Sequence, residues 1–236
     1  MSPNLKPAKR AKPAKPVKRA MILAAGLGTR LRPLTYKIPK PLLPIKGKPL
    51  IDYNLELLAN AGIKDVVVNL HHLGDQIRDH VRCGCRYGLK VHYSRERNVL
   101  GTGGGIKKAE KYLKGGPFIV INSDVLINID LKNIIARHYK NRGAALMVVR
   151  KLKRGEGYTP VDVGSDGRLK RFGRGKYMFT GVQILEPIIF KFLKKPSCLI
   201  ESGYKKLLNA GFPIYTYTYK GYWNDVGTIE VYRKLT

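Results

Sequence analysis

The 236-residue chain carries 45 lysines and arginines against 16 aspartates and glutamates, which gives a formal charge of +29 at pH 7. Its apolar content of 44% is typical of a globular protein, and it has neither an 18-residue apolar run nor the apolar core of a signal peptide, which argues against a membrane span and against secretion. We therefore expect a cytoplasmic protein with anionic partners, a class that includes nucleotides, phosphosugars, nucleic acid and acidic membranes. A solvated lysine-rich surface without a partner explains the charge outside the motifs equally well.

The first 18 residues differ in composition from the rest of the chain. The run KPAKRAKPAKPVKR is interrupted by prolines and has no large apolar side chain, and the first 20 residues contain no acid. A segment of this kind cannot bury enough apolar surface to offset the entropy lost on ordering. We predict a basic, disordered tail over residues 1–18 and one domain over residues 19–236.

Apolar runs and helical patterns alternate through the first 125 residues. The predicted strands are Ala20–Ala25, Asp65–Leu70, Leu89–Tyr93 and Phe118–Ile121. Three helices are predicted: the first follows Pro49 and ends near Gly62, the second runs from Gly74 to Val81, and the third runs from Thr102 to Leu113. This alternation predicts a parallel sheet covered by helices on both faces.

The second half of the chain is more irregular. Its predicted strands are Ala144–Arg150, Tyr158–Val163, Arg168–Phe172, Tyr177–Leu185 and Ile214–Tyr219. Residues 164–167 (GSDG) predict a hairpin turn, and a helix is predicted from Leu199 to Ala210. The three cysteines, Cys83, Cys85 and Cys198, cannot all pair with one another, and we expect structural thiols rather than a zinc site.

The stretch AAGLGTRLRPLTYKIPKPLLPI follows the first predicted strand and combines glycines, cations and prolines. It matches neither the dinucleotide-binding pattern, since Leu31 occupies the place of the last glycine, nor the pattern G-x-x-x-x-G-K-[ST]. The two glycines allow backbone N–H groups to approach an anion, and the prolines around Lys40 restrict the segment that carries this cation. A triphosphate meets these requirements.

The run GLGTRLRPLT followed by PKPLLPI resembles the signature of the sugar-1-phosphate nucleotidyltransferases. The segments LGTGGGI, NSDV, FTGVQIL and GYWNDVGT follow in the order in which that family has them, so the resemblance extends over residues 19–236. It implies a three-layer α/β/α sandwich with a mostly parallel, Rossmann-like mixed sheet, similar to the glycosyltransferase-A fold. The implied partners are a nucleoside triphosphate and a sugar-1-phosphate, which combine to form a nucleoside diphosphate sugar and pyrophosphate.

The reaction brings two anions together, and it therefore requires fixed positive charge and a divalent cation. The resemblance implies that Asp124 and Asp225 hold Mg²⁺, that Arg30 binds the β- and γ-phosphates, and that Lys40 contacts the α-phosphate and the attacking phosphate. Arg30, Lys40 and Asp124 are accordingly the expected catalytic residues. Arg32 serves the phosphates or is surface charge, and the sequence does not distinguish these roles.

The resemblance also implies two substrate sites. The expected nucleotide-binding residues are Leu23, Ala24, Gly26, Gly28, Thr29, Arg30, Lys40 and Gly103. The expected sugar-binding residues are Asn122, Thr180, Gly181 and Glu201. Asn69, His71 and His72 follow a strand and are further candidates for the nucleobase pocket.

The chain departs from the family pattern at the Glu-Lys-Pro segment whose lysine holds the sugar phosphate. It has Phe172-Gly173-Arg174-Gly175-Lys176 there, so Arg174 or Lys176 takes that role, or Lys40 and the metal suffice. We expect GTP and mannose-1-phosphate as substrates. UTP with N-acetylmuramate-1-phosphate and GTP with heptose-1-phosphate are the enzymatic alternatives, and a non-catalytic nucleotide-binding relative is the other class.

We expect no membrane partner and no specific nucleic-acid partner, because the chain has no aromatic-interleaved reader motif. Any nucleic-acid binding through the basic tail and body is expected to be secondary to the nucleotide chemistry. A homodimer is compatible with the sequence.

Overall fold

A computed structural model describes residues 15–236. Its strands are β1 Arg19–Leu23, β2 Pro44–Ile45, β3 Lys48–Pro49, β4 Asp65–Leu70, β5 Lys90–Arg95, β6 Phe118–Asn122, β7 Val125–Ile127, β8 Ala145–Lys151, β9 Pro160–Val163, β10 Leu169–Phe172, β11 Tyr177–Leu185, β12 Ile214–Thr218 and β13 Trp223–Asp225. Its α-helices are α1 Leu50–Asn60, α2 Gly74–Val81, α3 Gly101–Lys108, α4 Glu110–Leu113, α5 Leu131–Asn141, α6 Lys205–Asn209 and α7 Ile229–Leu235.

Nine strands form one mixed sheet. The strands β5, β4, β1 and β6 are neighbours in that order, and all three pairs are parallel. The long strand β11 joins β6 antiparallel and also pairs with β8 and β9, while β12 pairs with β8 in parallel. The four parallel strands of the first half all begin on one side of the sheet and end on the opposite side. We call these two sides the edges of the sheet, and the residues that follow the strands lie together at the edge formed by their carboxyl ends.

Alternating side chains of the strands build a core on each face of the sheet. On one face, Ile22, Val68 and Ile121 pack against apolar residues of α1, α2 and α5. On the other face, Met21 and Val120 pack against α3, α4 and α6. The predicted three-layer α/β/α architecture with helices on both faces is confirmed.

The predicted elements agree with the structure to within about two residues in most cases. The predicted helix Thr102–Leu113 is instead two helices, because the chain tightens at Ala109, whose N–H points to the carbonyls of Gly105 and Ile106. The predicted helix Leu199–Ala210 begins as a π-helical segment, Leu199–Tyr204, before α6. The sequence patterns did not predict α5, α7 or the short strands β7 and β13.

Most of the predicted tail lies outside the described residues. Residues 15–18 are described, and Val17 is buried, with its N–H donating to the Tyr139 hydroxyl at 2.6 Å. Cys83 and Cys85 form a disulfide, which corrects the expectation of thiols at these positions, while Cys198 is a free, exposed thiol. Among residues 15–236, every helix is too short or too polar to traverse a lipid bilayer.

Candidate active site

The glycine loop after β1 is fixed by a hydroxyl that lies beneath it. Gly28 has a φ of +64°, and a Cβ there would lie 2.9 Å from Cγ2 of Thr35, so both conformation and space require glycine. The buried Thr35 donates a hydrogen bond to the Gly28 carbonyl at 2.8 Å, and His72 contacts the Thr35 carbonyl at 2.7 Å. The loop is therefore held in one conformation, and Thr29–Leu31 forms a short 3₁₀ turn that carries Arg30.

A two-stranded ribbon brings the two predicted metal ligands together. The short strand β13 pairs antiparallel with β7, so that Asp225 is opposite Val125. The N–H of Val226 donates to the Asp124 carbonyl at 2.9 Å, which joins the two segments at the site itself. Residues a hundred positions apart in the chain are thereby neighbours in the fold.

Lys40 connects the two carboxylates. Its ammonium lies 2.6 Å from Oδ2 of Asp124 and 3.9 Å from Oδ1 of Asp225. Its side chain is only 12% exposed, and Pro39 precedes the 3₁₀ turn that carries it. An ammonium so placed has few other conformations available, in line with the predicted effect of the prolines.

The environment of Asp225 disfavours its charge. Burial raises the pKa of its carboxyl and the neighbouring Asp124 carboxylate raises it further, while Lys40 and Arg30 act in the opposite direction. Oδ1 of Asp225 is buried and has no hydrogen-bond partner among residues 15–236. A buried carboxylate oxygen without a hydrogen-bond partner, close to a second carboxylate, is a suitable ligand for a hard divalent cation.

A cleft of about 340 Å³ opens at the carboxyl ends of the parallel strands, beside these charges. Its walls include nine of the predicted site residues: Leu23, Ala24, Gly26, Gly28, Thr29, Arg30, Lys40, Asn122 and Asp124. The cleft is therefore lined by glycine-loop backbone, two cations and one of the two carboxylates. Ligands of open α/β sheets bind at this edge.

A buried polar network forms one end of the cleft. The amide of Asn69 accepts a hydrogen bond from the Ala24 N–H at 2.8 Å and donates to Oε1 of Glu96 at 2.8 Å. Oε2 of Glu96 accepts from the Leu100 N–H at 3.0 Å, and both Asn69 and Glu96 are 3% exposed. The carboxylate is thus fixed at the wall of the cleft, with lone pairs that remain available.

Four of the predicted substrate-binding residues do not form part of the cleft wall. Gly103 is buried against the segment 197–199 and its N–H donates to the Ser197 carbonyl, while Gly101 and Thr102 line the cleft instead. The Thr180 hydroxyl donates to the Val148 carbonyl at 2.9 Å, and Glu201 is exposed, with an ion pair to Lys205 at 2.8 Å. Gly181 lies directly against Asn122, where β11 bends.

The other candidates from the sequence have backbone or surface contacts. His71 contacts the Glu96 carbonyl at 3.0 Å, and His72 is held by Thr35. Arg32 stacks on the Tyr36 ring at 4.9 Å and is not part of the cleft wall. Arg174 and Lys176 are exposed in the turn before β11.

An aromatic and ionic cluster supports Asp225 from behind. The Tyr158 hydroxyl lies 3.5 Å from Oδ2 of Asp225, and burial, with Asp225 beside it, raises the pKa of Tyr158 to about 12, so this hydroxyl keeps its proton and acts as a donor. Tyr158 contacts the Trp223 ring edge-on, and Arg150 lies 4.4 Å above that ring. The carboxylate of Glu156 accepts hydrogen bonds from the two terminal guanidinium nitrogens of Arg150, at 2.6 and 3.0 Å.

Several residues of the site were not predicted from the sequence. Glu96 is the clearest case, because the predicted strand ended at Tyr93, whereas β5 extends to Arg95 and places Glu96 directly at the carboxyl edge. Gly227 is a second case, since a Cβ there would lie 3.1 Å from both Arg30 and Asp225. A correct strand boundary would have identified Glu96; the contacts of Gly227 depend on tertiary structure.

The known proteins to which this chain is similar are nucleotidyltransferases. The family model described as "Nucleotidyl transferase" matches residues 19–236. The chain is 32% identical over 238 residues to the UTP–glucose-1-phosphate uridylyltransferase of Synechocystis, with 91% of this chain covered. It is 33% identical over 221 residues to mannose-1-phosphate guanyltransferase 2 of Candida glabrata, with 89% covered. The chain spans 61% of the length of each of these relatives.

Solved structures extend the comparison. The structure of HddC from Yersinia pseudotuberculosis complexed with GMP-PN superposes with a TM-score of 0.75 at 29% identity and covers 93% of this chain and 98% of that one. A glucose-1-phosphate thymidylyltransferase structure from Bacillus anthracis, at 19% identity and a TM-score of 0.81, shows the same fold. The sheet with helices on both faces is thus a known architecture.

Proposed function

The chain belongs to the nucleotidyl transferase family, and from this premise we propose that it joins a nucleoside triphosphate to a sugar-1-phosphate, forming a nucleoside diphosphate sugar and pyrophosphate. One observation supports the proposal above all others. Lys40 lies between Asp124 and Asp225 beside a cleft whose wall is glycine-loop backbone and Arg30. Fixed cations, exposed backbone donors and paired carboxylates are the groups that phosphate transfer requires.

In the proposed reaction, an oxygen of the sugar phosphate attacks the α-phosphorus of the nucleotide. A new P–O bond forms there while the bond to the β-phosphate oxygen breaks, and pyrophosphate leaves with that electron pair. The protein contributes no covalent nucleophile. Arg30 binds the departing phosphates, Lys40 neutralises charge where the two reacting phosphates meet, and the glycine loop positions the triphosphate through its backbone.

Asp124 and Asp225 would hold a divalent cation, for which Mg²⁺ is the candidate. The buried, unpartnered Oδ1 of Asp225 and the carboxylate of Asp124 fit the preference of a hard cation for oxygen ligands. When bound, the cation would neutralise the phosphate oxygens and thereby reduce the repulsion between the two substrates. It would also offset the unfavourable burial of the Asp225 charge.

We propose GTP as the nucleotide because of the carboxylate at the nucleobase end of the cleft. Glu96 is an acceptor fixed by Asn69 and by the Leu100 N–H. Guanine presents adjacent N1–H and N2 amino donors to such a group, whereas uracil presents one N–H between two carbonyl oxygens. The guanyltransferase relatives support this choice, and mannose-1-phosphate is the sugar phosphate that they suggest.

A second candidate is UTP with a sugar-1-phosphate. The uridylyltransferase relative of Synechocystis, at 32% identity, supports it. A Glu96→Gln variant separates the two candidates, because a neutral amide offers both a donor and an acceptor. The change should weaken GTP use about tenfold or more while UTP use is kept or improved, if the guanine assignment is correct.

The role of Lys40 is tested with a matched cation on the same loop. Lys40→Ala should lower turnover by about 10²–10³-fold, as expected for a lost preorganised charge. Arg32→Ala is the control, since Arg32 stacks on Tyr36 outside the cleft wall. Product is measured as the nucleoside diphosphate sugar by mass spectrometry, with thermal unfolding to verify folding. Equal losses in both variants would refute the assignment of Lys40.

A further inference from the structure

The edge of the sheet opposite the cleft carries a row of lysines. Lys18 precedes β1, Lys64 precedes β4, Lys90 begins β5, and Lys114 lies in the connection from α4 to β6. The backbone N–H of Lys64 donates to the Lys18 carbonyl at 3.1 Å, and that of Lys90 donates to the Lys64 carbonyl at 2.8 Å. These backbones are therefore adjacent, at about 5 Å from one strand to the next.

Lys15 completes the row. Gly116, at the entrance to β6, lies directly against it, since a Cβ at this glycine would be 3.2 Å from the Lys15 Cβ. We call Lys15, Lys18, Lys64, Lys90 and Lys114 the basic edge. All five are exposed, and among residues 15–236 none of them forms an ion pair with a carboxylate.

The carboxylates near the basic edge are already engaged. Asp65 is paired with His92 at 3.3 Å, and Glu110 is paired with Lys107 at 2.7 Å. The chain that precedes Lys15 adds four more bases, Lys6, Lys9, Arg10 and Lys12, and it contains no acid that could neutralise the row. The charge of the basic edge is therefore not neutralised by these carboxylates.

This end lies away from the cleft. The parallel strands that separate the two edges are five or six residues long. At about 3.3 Å per residue, the basic edge is on the order of 15–20 Å from the cleft. A ligand of the basic edge and the substrates can consequently bind at the same time.

We propose that the basic edge binds the phosphate backbone of nucleic acid without sequence preference. A line of cations matches the linear phosphate backbone of nucleic acid better than it matches the flat surface of an anionic membrane. Binding to that backbone requires only positive charge on the protein. A lipid surface would be matched by a basic plane combined with apolar side chains that insert. Of the large exposed apolar side chains, Leu34, Tyr36 and Ile38 belong to the loop after β1, at the cleft, and Phe212 precedes β12, which is separated from β6 by β11 and β8.

The proposal predicts a steep and specific salt dependence. Binding of a fluorescein-labelled 20-base-pair duplex of random sequence is measured by anisotropy over a range of KCl concentrations. Replacing Lys18, Lys64, Lys90 and Lys114 together by Gln should reduce the magnitude of the slope of log K against log[KCl] by up to about 3.6, since each lost phosphate contact contributes about 0.9.

The matched control removes the same charge elsewhere. Lys194, Lys195 and Lys206 are exposed and lie near the π-helical segment and α6, and the exposed Lys220 follows the far end of β12. Their replacement by Gln should leave the slope nearly unchanged, and every one of these variants should keep the melting temperature of the unchanged chain, which verifies folding independently of the function proposed above. Equal losses in the edge and control variants would overturn the proposal in favour of diffuse charge. Edge-dependent binding to phosphatidylserine vesicles without duplex binding would overturn it in favour of a membrane.

Discussion

Lys40 stands between two carboxylates whose charges repel each other. It lies 2.6 Å from Asp124 and 3.9 Å from Asp225, and the ordinary cost of placing two carboxylates together is offset by this one ammonium. The compensation is incomplete, since the pKa of Asp225 stays raised by burial and by Asp124. The site therefore favours an additional positive charge, which is consistent with the divalent cation proposed above.

Removal of either carboxylate should abolish turnover. Asp124→Asn and Asp225→Asn keep side-chain shape but weaken a ligand of the proposed cation, so we expect rates reduced by about 10²-fold or more at any Mg²⁺ concentration. Pyrophosphate release measures the rate, and Asp162→Asn, on the surface, is the control. A wild-type rate for either variant at saturating Mg²⁺ would contradict its assignment as a ligand.

Asp225 also has a predictable effect on stability. A carboxyl whose pKa is raised in the folded state binds a proton more tightly there than in the unfolded chain, so stability is lost as pH rises from about 4 through the raised pKa. Without metal at pH 7, Asp225→Asn should therefore raise the melting temperature, by about 2–4 °C for each kcal/mol gained.

The gain should disappear near pH 4, where the wild-type carboxyl is itself protonated. Differential scanning calorimetry in EDTA at the two pH values provides the test. A lower melting temperature for Asp225→Asn at pH 7 would show that Lys40 and Arg30 outweigh burial.

Among the elements, the connection between β8 and β9 is the one that supports the site. Arg150 at the end of β8 is held by Glu156, and Glu156 also accepts from the Lys153 N–H at 2.8 Å, which closes the connection into a turn. The turn presents Tyr158 to Asp225. Residues 150–158 thus orient a proposed metal ligand without lining the cleft themselves.

Arg150→Lys should loosen this turn, because an ammonium cannot reproduce the two parallel hydrogen bonds of a guanidinium. We expect the Mg²⁺ concentration for half-maximal rate to rise by about tenfold or more, with KM for the sugar phosphate little changed. The emission of Trp223, the only tryptophan of the chain, should change as well. Arg171→Lys is the control, since its pair with Asp162 at 3.1 Å is exposed, and an equal change there would contradict this role.

The elements that the sequence predicted well are those with a strong local pattern. The buried strands β1, β4 and β6 and the amphipathic helix α1 have clear periodicity, and they place the glycine loop, Asn69 and Asp124 at one edge. Strand β13 has three residues and no local pattern, so its pairing with β7 could not be predicted from spacing. Asp225 was identified by family resemblance, and the structure supplies its contacts.

At the scale of the whole molecule, the two edges of the sheet have opposite properties. The cleft, with its carboxylates and glycine loop, lies at the edge formed by the carboxyl ends of the parallel strands. The five lysines of the basic edge lie at the opposite side of the sheet. The sequence showed the excess charge but not where it lies, because the lysines concerned are up to about a hundred positions apart and become neighbours only through strand pairing. Of the residues expected to bind the sugar, Thr180 and Glu201 have contacts within the protein, to the Val148 carbonyl and to Lys205.

The separation of the two edges predicts that the basic segment is dispensable for catalysis. A chain lacking residues 1–14 should retain kcat and KM within about twofold, because the described chain begins at the edge remote from the cleft. Steady-state pyrophosphate release compares it with the full chain. A loss as large as that of Lys40→Ala would show that the segment contributes to the reaction.

The most direct test of the proposed function is pyrophosphate release from GTP, UTP, dTTP, CTP and ATP, each combined with mannose-, glucose-, heptose- or N-acetylmuramate-1-phosphate. Every pair is measured with Mg²⁺ and with EDTA. We predict one metal-dependent pair well above the rest, with GTP as its nucleotide and mannose-1-phosphate as its sugar phosphate. Nucleotide binding without pyrophosphate release from any pair would contradict the account and favour a regulatory, non-catalytic relative.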